Sequence, residues 1–213
     1  MVNNYDRIAR YYDRLSRLIF GKAIVRAQQS LLGHIGPPGR MLIVGGGTGW
    51  ILEEIARRHG SGLVIDYVEI SGNMLARSRR RNTADNEVRF VHSGVEDFVP
   101  AHRYDAVVTP FLFDNFAPVR AEAVFQKLDD LLLPGGQWLF ADFNIEQNGH
   151  AFWQKLLLRA MYVFFRTISQ VEARELPDMK RLFAQNGYTC KAEYFQFARF
   201  IRSAVYKRAR RGQ

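Results

Sequence analysis

Apolar and polar positions along the chain change period repeatedly, and each change predicts an element. Ile8, Tyr11, Tyr12, Leu15, Leu18 and Ile19 recur at helical spacing inside residues 5–32, which predicts one or two helices forming a cap over residues 1–35. Gly36-Pro37-Pro38-Gly39 closes the cap, since glycine and proline break both regular periods. Arg40-Met41-Leu42-Ile43-Val44 is then a short apolar run ending in glycines, the pattern of a strand buried on both faces. Trp50, Ile51, Leu52, Ile55 and Ala56 share residues 48–59 with Glu53, Glu54, Arg57 and Arg58, so an amphipathic helix follows, with Gly60 to Gly62 expected to stop it.

Residues 63–70 read as a second strand, 73–81 as a second helix, 88–92 as a third strand, 104–109 as a fourth, 120–132 as a helix and 137–143 as a fifth strand. An aromatic-rich helix is expected over about 150–166, another over 176–186 ended by Gly187, and strand-like stretches over 188–200. The β-α-β alternation predicts an α/β three-layer sandwich: a mostly parallel Rossmann-like sheet, an antiparallel strand near the C-terminus and an N-terminal helical cap. With no repeat, low-complexity tract or Ser/Pro linker, one domain over 1–213 is expected, with its body at 36–200 and a basic tail at 201–213.

The most informative stretch is Val44-Gly45-Gly46-Gly47-Thr48-Gly49, between the first strand and the helix after it. In α/β folds that turn brings a ligand against the carboxyl ends of the strands. Glycines at 45, 47 and 49 let a nucleoside ligand touch the backbone and permit positive φ in a tight turn; a bulky residue at Gly47 is expected to block the approach. A dinucleotide fingerprint needs glycine or alanine where Trp50 stands, which weakens an NAD reading, and a P-loop needs Gly-Lys-Ser/Thr, which is absent. Glu69, about 20 residues beyond Gly49 at the end of the second strand, is placed to accept both ribose hydroxyls. Ser71 is the better cap for the next helix, and Asp66 is the second choice for a ribose acid.

Taken in order, Val44 to Gly49, then Val68-Glu69-Ile70-Ser71 with Met74-Leu75, then Leu132-Leu133-Pro134-Gly135-Gly136 resemble successive motifs of class I S-adenosylmethionine-dependent methyltransferases. The opening Tyr5-Asp6-Arg7-Ile8-Ala9 to Tyr12-Asp13 is similar to the amino-terminal segment of quinone-biosynthesis methyltransferases. The resemblance covers about residues 40–200. It implies S-adenosylmethionine as cofactor, its methionine part and ribose held by Gly45, Gly46, Gly47, Thr48 and Gly49, its ribose also by Glu69, with Ile70, Met74, Val95, Glu96 and Thr109 completing the site. Two positions depart from the family: Ile43 stands where an acid often fixes the cofactor's amino group, and Gly94 where an aspartate commonly reaches the adenine.

Composition bounds the rest. At 213 residues and 47% apolar content the chain can bury one sizeable core. Leu131 to Leu133 and Ala160 to Phe165 fall far short of the roughly 20 apolar residues that span a bilayer, and residues 1–17 lack the apolar centre of a signal peptide, so a cytoplasmic location is expected. The lone Cys190 excludes an intramolecular disulfide and is expected in the core, and the five scattered histidines predict no metal site. The net charge of +9 gathers partly at Arg77 to Arg81 and Arg199 to Arg211. These clusters read as a solvated helix end and tail, with peripheral contact to anionic lipid heads as the functional alternative. No nucleic-acid motif accompanies them, so nucleic acid is not an expected partner, and oligomeric state is not legible.

Methyl transfer from a sulfonium needs alignment, desolvation and sometimes a base. The acceptor is expected above the fourth strand, near Thr109 to Phe116, with Asp114 and His150 as candidate bases and helix capping as the alternative role of each. Tyr11, Tyr12, Phe111, Phe113, Asn115, Phe143 and Trp153 are expected to line the acceptor pocket. The stripe Trp153, Leu156, Leu157, Ala160 and Phe164 is expected to bury against the sheet, with a lipid-binding face flanked by Arg159 and Arg166 as the alternative. The expected function is S-adenosylmethionine-dependent methyl transfer to a small or lipid-like acceptor; a cofactor-binding sensor or scaffold, and an RNA methyltransferase, are the alternatives.

Overall fold

Seven strands pair edge to edge: β1 (Gly39–Val44), β2 (Ser61–Glu69), β3 (Asp85–His92), β4 (Tyr104–Pro110), β5 (Leu132–Phe143), β6 (Tyr188–Gln196) and β7 (Ile201–Arg208). Their order is β3-β2-β1-β4-β5-β7-β6. The first five run parallel, and β7 lies antiparallel to both β5 and β6. Around them pack α1 (Tyr12–Phe20), α2 (Ala23–Leu32), α3 (Trp50–Arg58), α4 (Gly72–Ser78), α5 (Pro118–Leu131), α6 (Phe152–Ser169) and α7 (Met179–Gln185). The computed structural model describes residues 6, 12–146, 152–169, 173 and 175–208, of which 12–13 and 164–169 by backbone alone.

Successive side chains of a strand point to opposite faces, and β1 shows what that does here. Leu42 and Val44 join Phe125 and Leu128 of α5 and Phe183 of α7, whereas Met41 and Ile43 join Leu31 of α2, Ile51, Leu52 and Ile55 of α3 and Leu75 of α4. Two apolar layers therefore sandwich one sheet, as the sequence pattern predicts. A third cluster joins Phe20, Ala23 and Ala27 of the cap to Leu158, Met161 and Tyr162 of α6 and to Phe200 and Ile201.

Four expectations change. The segment expected as the start of a basic tail is β7, an interior strand: Ile201, Ala204 and Val205 are fully buried, and Ser203 Oγ donates to the Ala27 carbonyl at 2.9 Å. Two of its charges are neutralised within the fold, Arg202 by Glu193 and Arg208 by Asp129, so they do not force it into solvent. Cys190, expected in the core, is exposed on β6, the edge strand of the sheet, with Thr189 and Lys191 exposed beside it. Gly62 lies inside β2 and does not stop the preceding helix, which ends at Arg58. Finally, α6 is rotated from the expected stripe: Gln154, Leu158, Met161 and Tyr162 are buried, whereas Trp153, Leu156 and Ala160 are exposed.

Candidate active site

The strand order reverses direction at β1, between β2 and β4, and in such sheets the crevice at that switch receives the ligand. A cavity opens there. At one end it is walled by Gly45, Gly46, Gly47, Thr48, Glu69, Ile70, Met74, Val95 and Glu96, and at the other by Ile19, Phe20, Ile24, Phe111, Phe143 and Met161; Asp114 and Asn115 also line it.

The glycine loop is held by its neighbours. Gly45 and Gly47 have φ of +71° and +62°, the left-handed region where only glycine is unstrained. Gly46 has a different reason: a Cβ there would fall 2.6 Å from the Tyr67 ring carbons. Tyr67 Oη donates to the Gly47 carbonyl at 3.0 Å, and Arg81 Nε donates to the Thr48 carbonyl at 2.9 Å. Gly49, expected to touch the ligand, opens α3 and packs on Ser78, where a Cβ would lie 2.7 Å from Ser78 Cα. Its role is close packing of α3 on α4.

Glu69 ends β2 with one carboxylate oxygen accepting from Gly47 N–H at 3.0 Å and the other from Ser71 N–H at 2.9 Å. Burial raises its pKa, and those N–H bonds oppose the rise. Each carboxylate oxygen has two acceptor sites, so the side chain can still take hydroxyl donors from the cavity. The sequence's second choice, Asp66, is committed elsewhere: Arg89 donates to it at 2.6 and 2.9 Å and Tyr104 Oη also donates to it. Ser71 caps α4, accepting from Met74 N–H, and its hydroxyl donates to Asp6 at 2.6 Å. Asp6 thereby ties the cap's first described residue to the cofactor side.

Not every expected residue reaches the cavity. Thr109 is fully buried, with its hydroxyl accepting from Trp138 Nε1 at 2.9 Å. Phe113 is fully buried among Phe116, Trp138 and Phe140. Trp153 packs on Phe197 and Phe200 outside the cavity. Glu96 lines the wall, but Arg120 pairs with its carboxylate. Ile43 is fully buried in the core and cannot reach the cofactor side. Tyr11 and His150 lie outside the described residues, as does the side chain of Tyr12. Among the described residues no His, Cys, Asp and Glu cluster could hold a metal.

Asp142 was not singled out by the sequence, although an acid at the carboxyl end of an apolar strand is the signal that marks Glu69. Its Oδ2 accepts from the N–H groups of Phe113 and Asp114 at 3.0 and 3.2 Å, and its Oδ1 from Phe143 N–H at 2.8 Å. These bonds set the turn that puts Asp114 on the cavity wall, where Asn115 Nδ2 donates to it at 2.7 Å. Burial pushes Asp142 up to about 7. Burial, then the charge of Asp142, pushes Asp114 well above the carboxylate range. Tyr162, nearby on α6, has a buried hydroxyl without a hydrogen-bond partner among the described residues.

A folded pKa above the unfolded value means that the protonated form favours folding. The contribution of Asp142 is complete below 3.8 and lost as pH rises through about 7. Melting temperature is expected to fall across that window, and Asp142→Asn to flatten the fall in thermal scans; an unchanged profile would assign the titration to another group.

The fold is the Rossmann-like fold of class I methyltransferases. Residues 41–136 match the family model of a methyltransferase domain, which bears out the resemblance of the glycine loop, Glu69 and Pro134-Gly135-Gly136. The chain is 27% identical over 153 residues to a ubiquinone/menaquinone biosynthesis C-methyltransferase UbiE of Rhizobium meliloti, covering 68% of this chain and 58% of that protein. It is 27% identical over 104 residues to malonyl-[acyl-carrier protein] O-methyltransferase 2 of Ilyobacter polytropus, covering 49% and 39%. The chain thus spans less than two thirds of the length of either relative. Among solved structures it resembles the 1,6-didemethyltoxoflavin-N1-methyltransferase of Burkholderia thailandensis, crystallised with 1,6-didemethyltoxoflavin and S-adenosylhomocysteine, with a TM-score of 0.66 at 17% identity over 95% of this chain and 85% of that one. At that identity the likeness establishes the fold.

Proposed function

We propose that the protein is an enzyme that transfers a methyl group from S-adenosylmethionine to a small, largely apolar acceptor. The carrying observation is one cavity with two chemically different ends: a glycine turn with a buried carboxylate, and an apolar chamber of Phe20, Phe111 and Phe143 whose rings lie 5.2–5.4 Å apart in the pairs Phe20–Phe143 and Phe111–Phe143. The methyltransferase-domain match and the quinone and acyl-carrier substrates in the relatives' names support the same reading. It treats residues 1–213 as one domain in a cytoplasmic setting.

The residues present fit the cofactor. Glu69 offers acceptors for ribose hydroxyls, the Gly45–Gly47 turn offers unobstructed backbone, and Ile70, Met74 and Val95 offer apolar contacts for a base. The sulfonium supplies the electrophilic methyl group. The protein's part is to align the acceptor, keep water out with the Phe20, Phe111, Phe143 and Met161 walls, and hold a proton acceptor. Asp114 at the wall is the candidate proton acceptor, a stronger base than an ordinary carboxylate once ionised, while Asp142 holds its backbone in place.

Calorimetric titration with S-adenosylmethionine and S-adenosylhomocysteine, with NAD as control, tests the cofactor half. Binding of NAD alone, or of nothing, defeats the proposal. Asp114→Asn is expected to leave cofactor affinity unchanged and slow turnover by about a hundredfold; equal loss of binding would assign Asp114 to the cofactor instead.

A further inference from the structure

Helix α6 has a solvent face of unusual chemistry. Its inner side is fixed: Gln154 Oε1 accepts from Glu146 N–H and its Nε2 donates to the Ala198 carbonyl, each at 3.0 Å, and Leu158, Met161 and Tyr162 lie in the cap cluster. This orientation turns Phe152, Leu156 and Val163 outward, 79%, 59% and 60% exposed. Positions 152, 156 and 163 share one helical face. Trp153 stands at its flank, and the only charges beside it on the described part of the helix are Lys155 and Arg159, both exposed. No acidic residue occurs anywhere in α6. Helix α1, packed in the same cluster through Phe20, adds exposed Leu18 with exposed Arg14 and Arg17.

We propose that the outward face of α6 docks the protein on the surface of an anionic lipid bilayer. A solvent face made of large apolar groups flanked by cations alone is the pattern of a helix lying in the interface, its apolar side at the acyl boundary and its cations among the head groups. The helix is 18 residues long, about 27 Å, and no described helix is long and apolar enough to cross a membrane. A second copy of the chain fits the face less well: a two-fold contact there would bring Lys155 and Arg159 of both copies together with no acid on either α6, whereas anionic head groups neutralise both. The basic clusters at Arg77–Arg81 and Arg199–Arg208 supply less, because Arg81, Arg199, Arg202 and Arg208 are already paired with Glu53, Glu146, Glu193 and Asp129. Met161, on the inner side of α6, lines the acceptor end of the cavity, so docking sets that chamber directly behind the lipid-facing helix. The docking does not depend on what the acceptor is.

The test is co-sedimentation of the full chain with vesicles of phosphatidylcholine mixed with phosphatidylglycerol, and with phosphatidylcholine alone. The wild type is expected to pellet with the mixed vesicles and to be released by salt. Phe152→Ser combined with Leu156→Ser is expected to lower the partition coefficient by tenfold or more, on the order of the loss for two exposed apolar side chains. Lys155→Glu combined with Arg159→Glu is expected to remove the preference for phosphatidylglycerol. Unchanged melting temperatures show that these surface changes leave the fold intact. A wild type that stays in the supernatant, binds both vesicles equally, or binds as its variants do overturns the proposal. So does sedimentation velocity showing a dimer that Leu156→Ser dissociates, without vesicle binding.

Discussion

A chain ending at Phe200 is expected not to fold. Strand β7 lies between β5 and β6, so removing it strips hydrogen-bond partners from residues 137–143 of β5 and detaches β6, whose place in the sheet runs through β7. It also withdraws one side chain or more from each apolar cluster: Ala204 and Tyr206 from one face, Val205 from the other and Ile201 from the cap. Burying each of the larger of these side chains contributes about 1.5–3 kcal/mol, and each ladder hydrogen bond about 1 kcal/mol. Their sum exceeds the roughly 5–15 kcal/mol by which a domain of this size is stable. Glu193 and Asp129 would lose Arg202 and Arg208 as well. Circular dichroism with urea titration checks this: a truncated chain melting cooperatively at the wild-type midpoint would show that β7 is dispensable.

Glu69→Ala should reduce affinity for S-adenosylmethionine and S-adenosylhomocysteine by about a hundredfold or more, because hydrogen bonds to a charged group contribute roughly 1.5–3 kcal/mol each and two ribose hydroxyls lose theirs together. The same change leaves the N–H groups of Gly47 and Ser71 without their partners, so a loss of about 1–3 kcal/mol in stability is expected beside it. Glu69→Gln separates the effects. It keeps a carbonyl acceptor for one of the two N–H groups and should recover part of the stability while remaining weak in binding. Calorimetry and thermal melting on the three proteins read both quantities, and wild-type affinity in Glu69→Ala would falsify the role given to this carboxylate.

What the sequence shows and what it hides follow from how far each feature reaches along the chain. The five parallel strands are legible because each carries a short stretch of apolar residues whose neighbours in sequence stop or start an element. The glycine turn and Glu69 are legible because they lie at fixed offsets within one β-α-β unit. Strand β7 is not, since Arg202, Lys207 and Arg208 give it the composition of a tail, and the acids that neutralise two of them lie on β6 and α5. Asp142 escapes for the same reason: its partners are backbone groups of Phe113 and Asp114, nearly a full β-α-β unit earlier. Thr109 and Phe113 flank the end of β4, which predicts both at the cavity, but side-chain direction sends both into the Trp138 cluster. A position in the chain locates a backbone; the pleat decides what its side chain meets.

The swapped order of the last two strands carries a consequence for synthesis. A ribosome delivers β6 before β7, yet β6 has no place beside β5 until β7 has been inserted between them. The half of the sheet built from β1, β2 and β3, with the glycine turn and Glu69, can assemble while the rest is still being made, because its contacts are local. The aromatic chamber cannot: Phe143 pairs with Ile201 in the ladder and packs on Phe200 with ring centroids 5.2 Å apart. A nascent chain therefore completes its glycine-turn half first and closes its aromatic half only when residue 208 has emerged, with the β5 edge open to wrong partners in the interval.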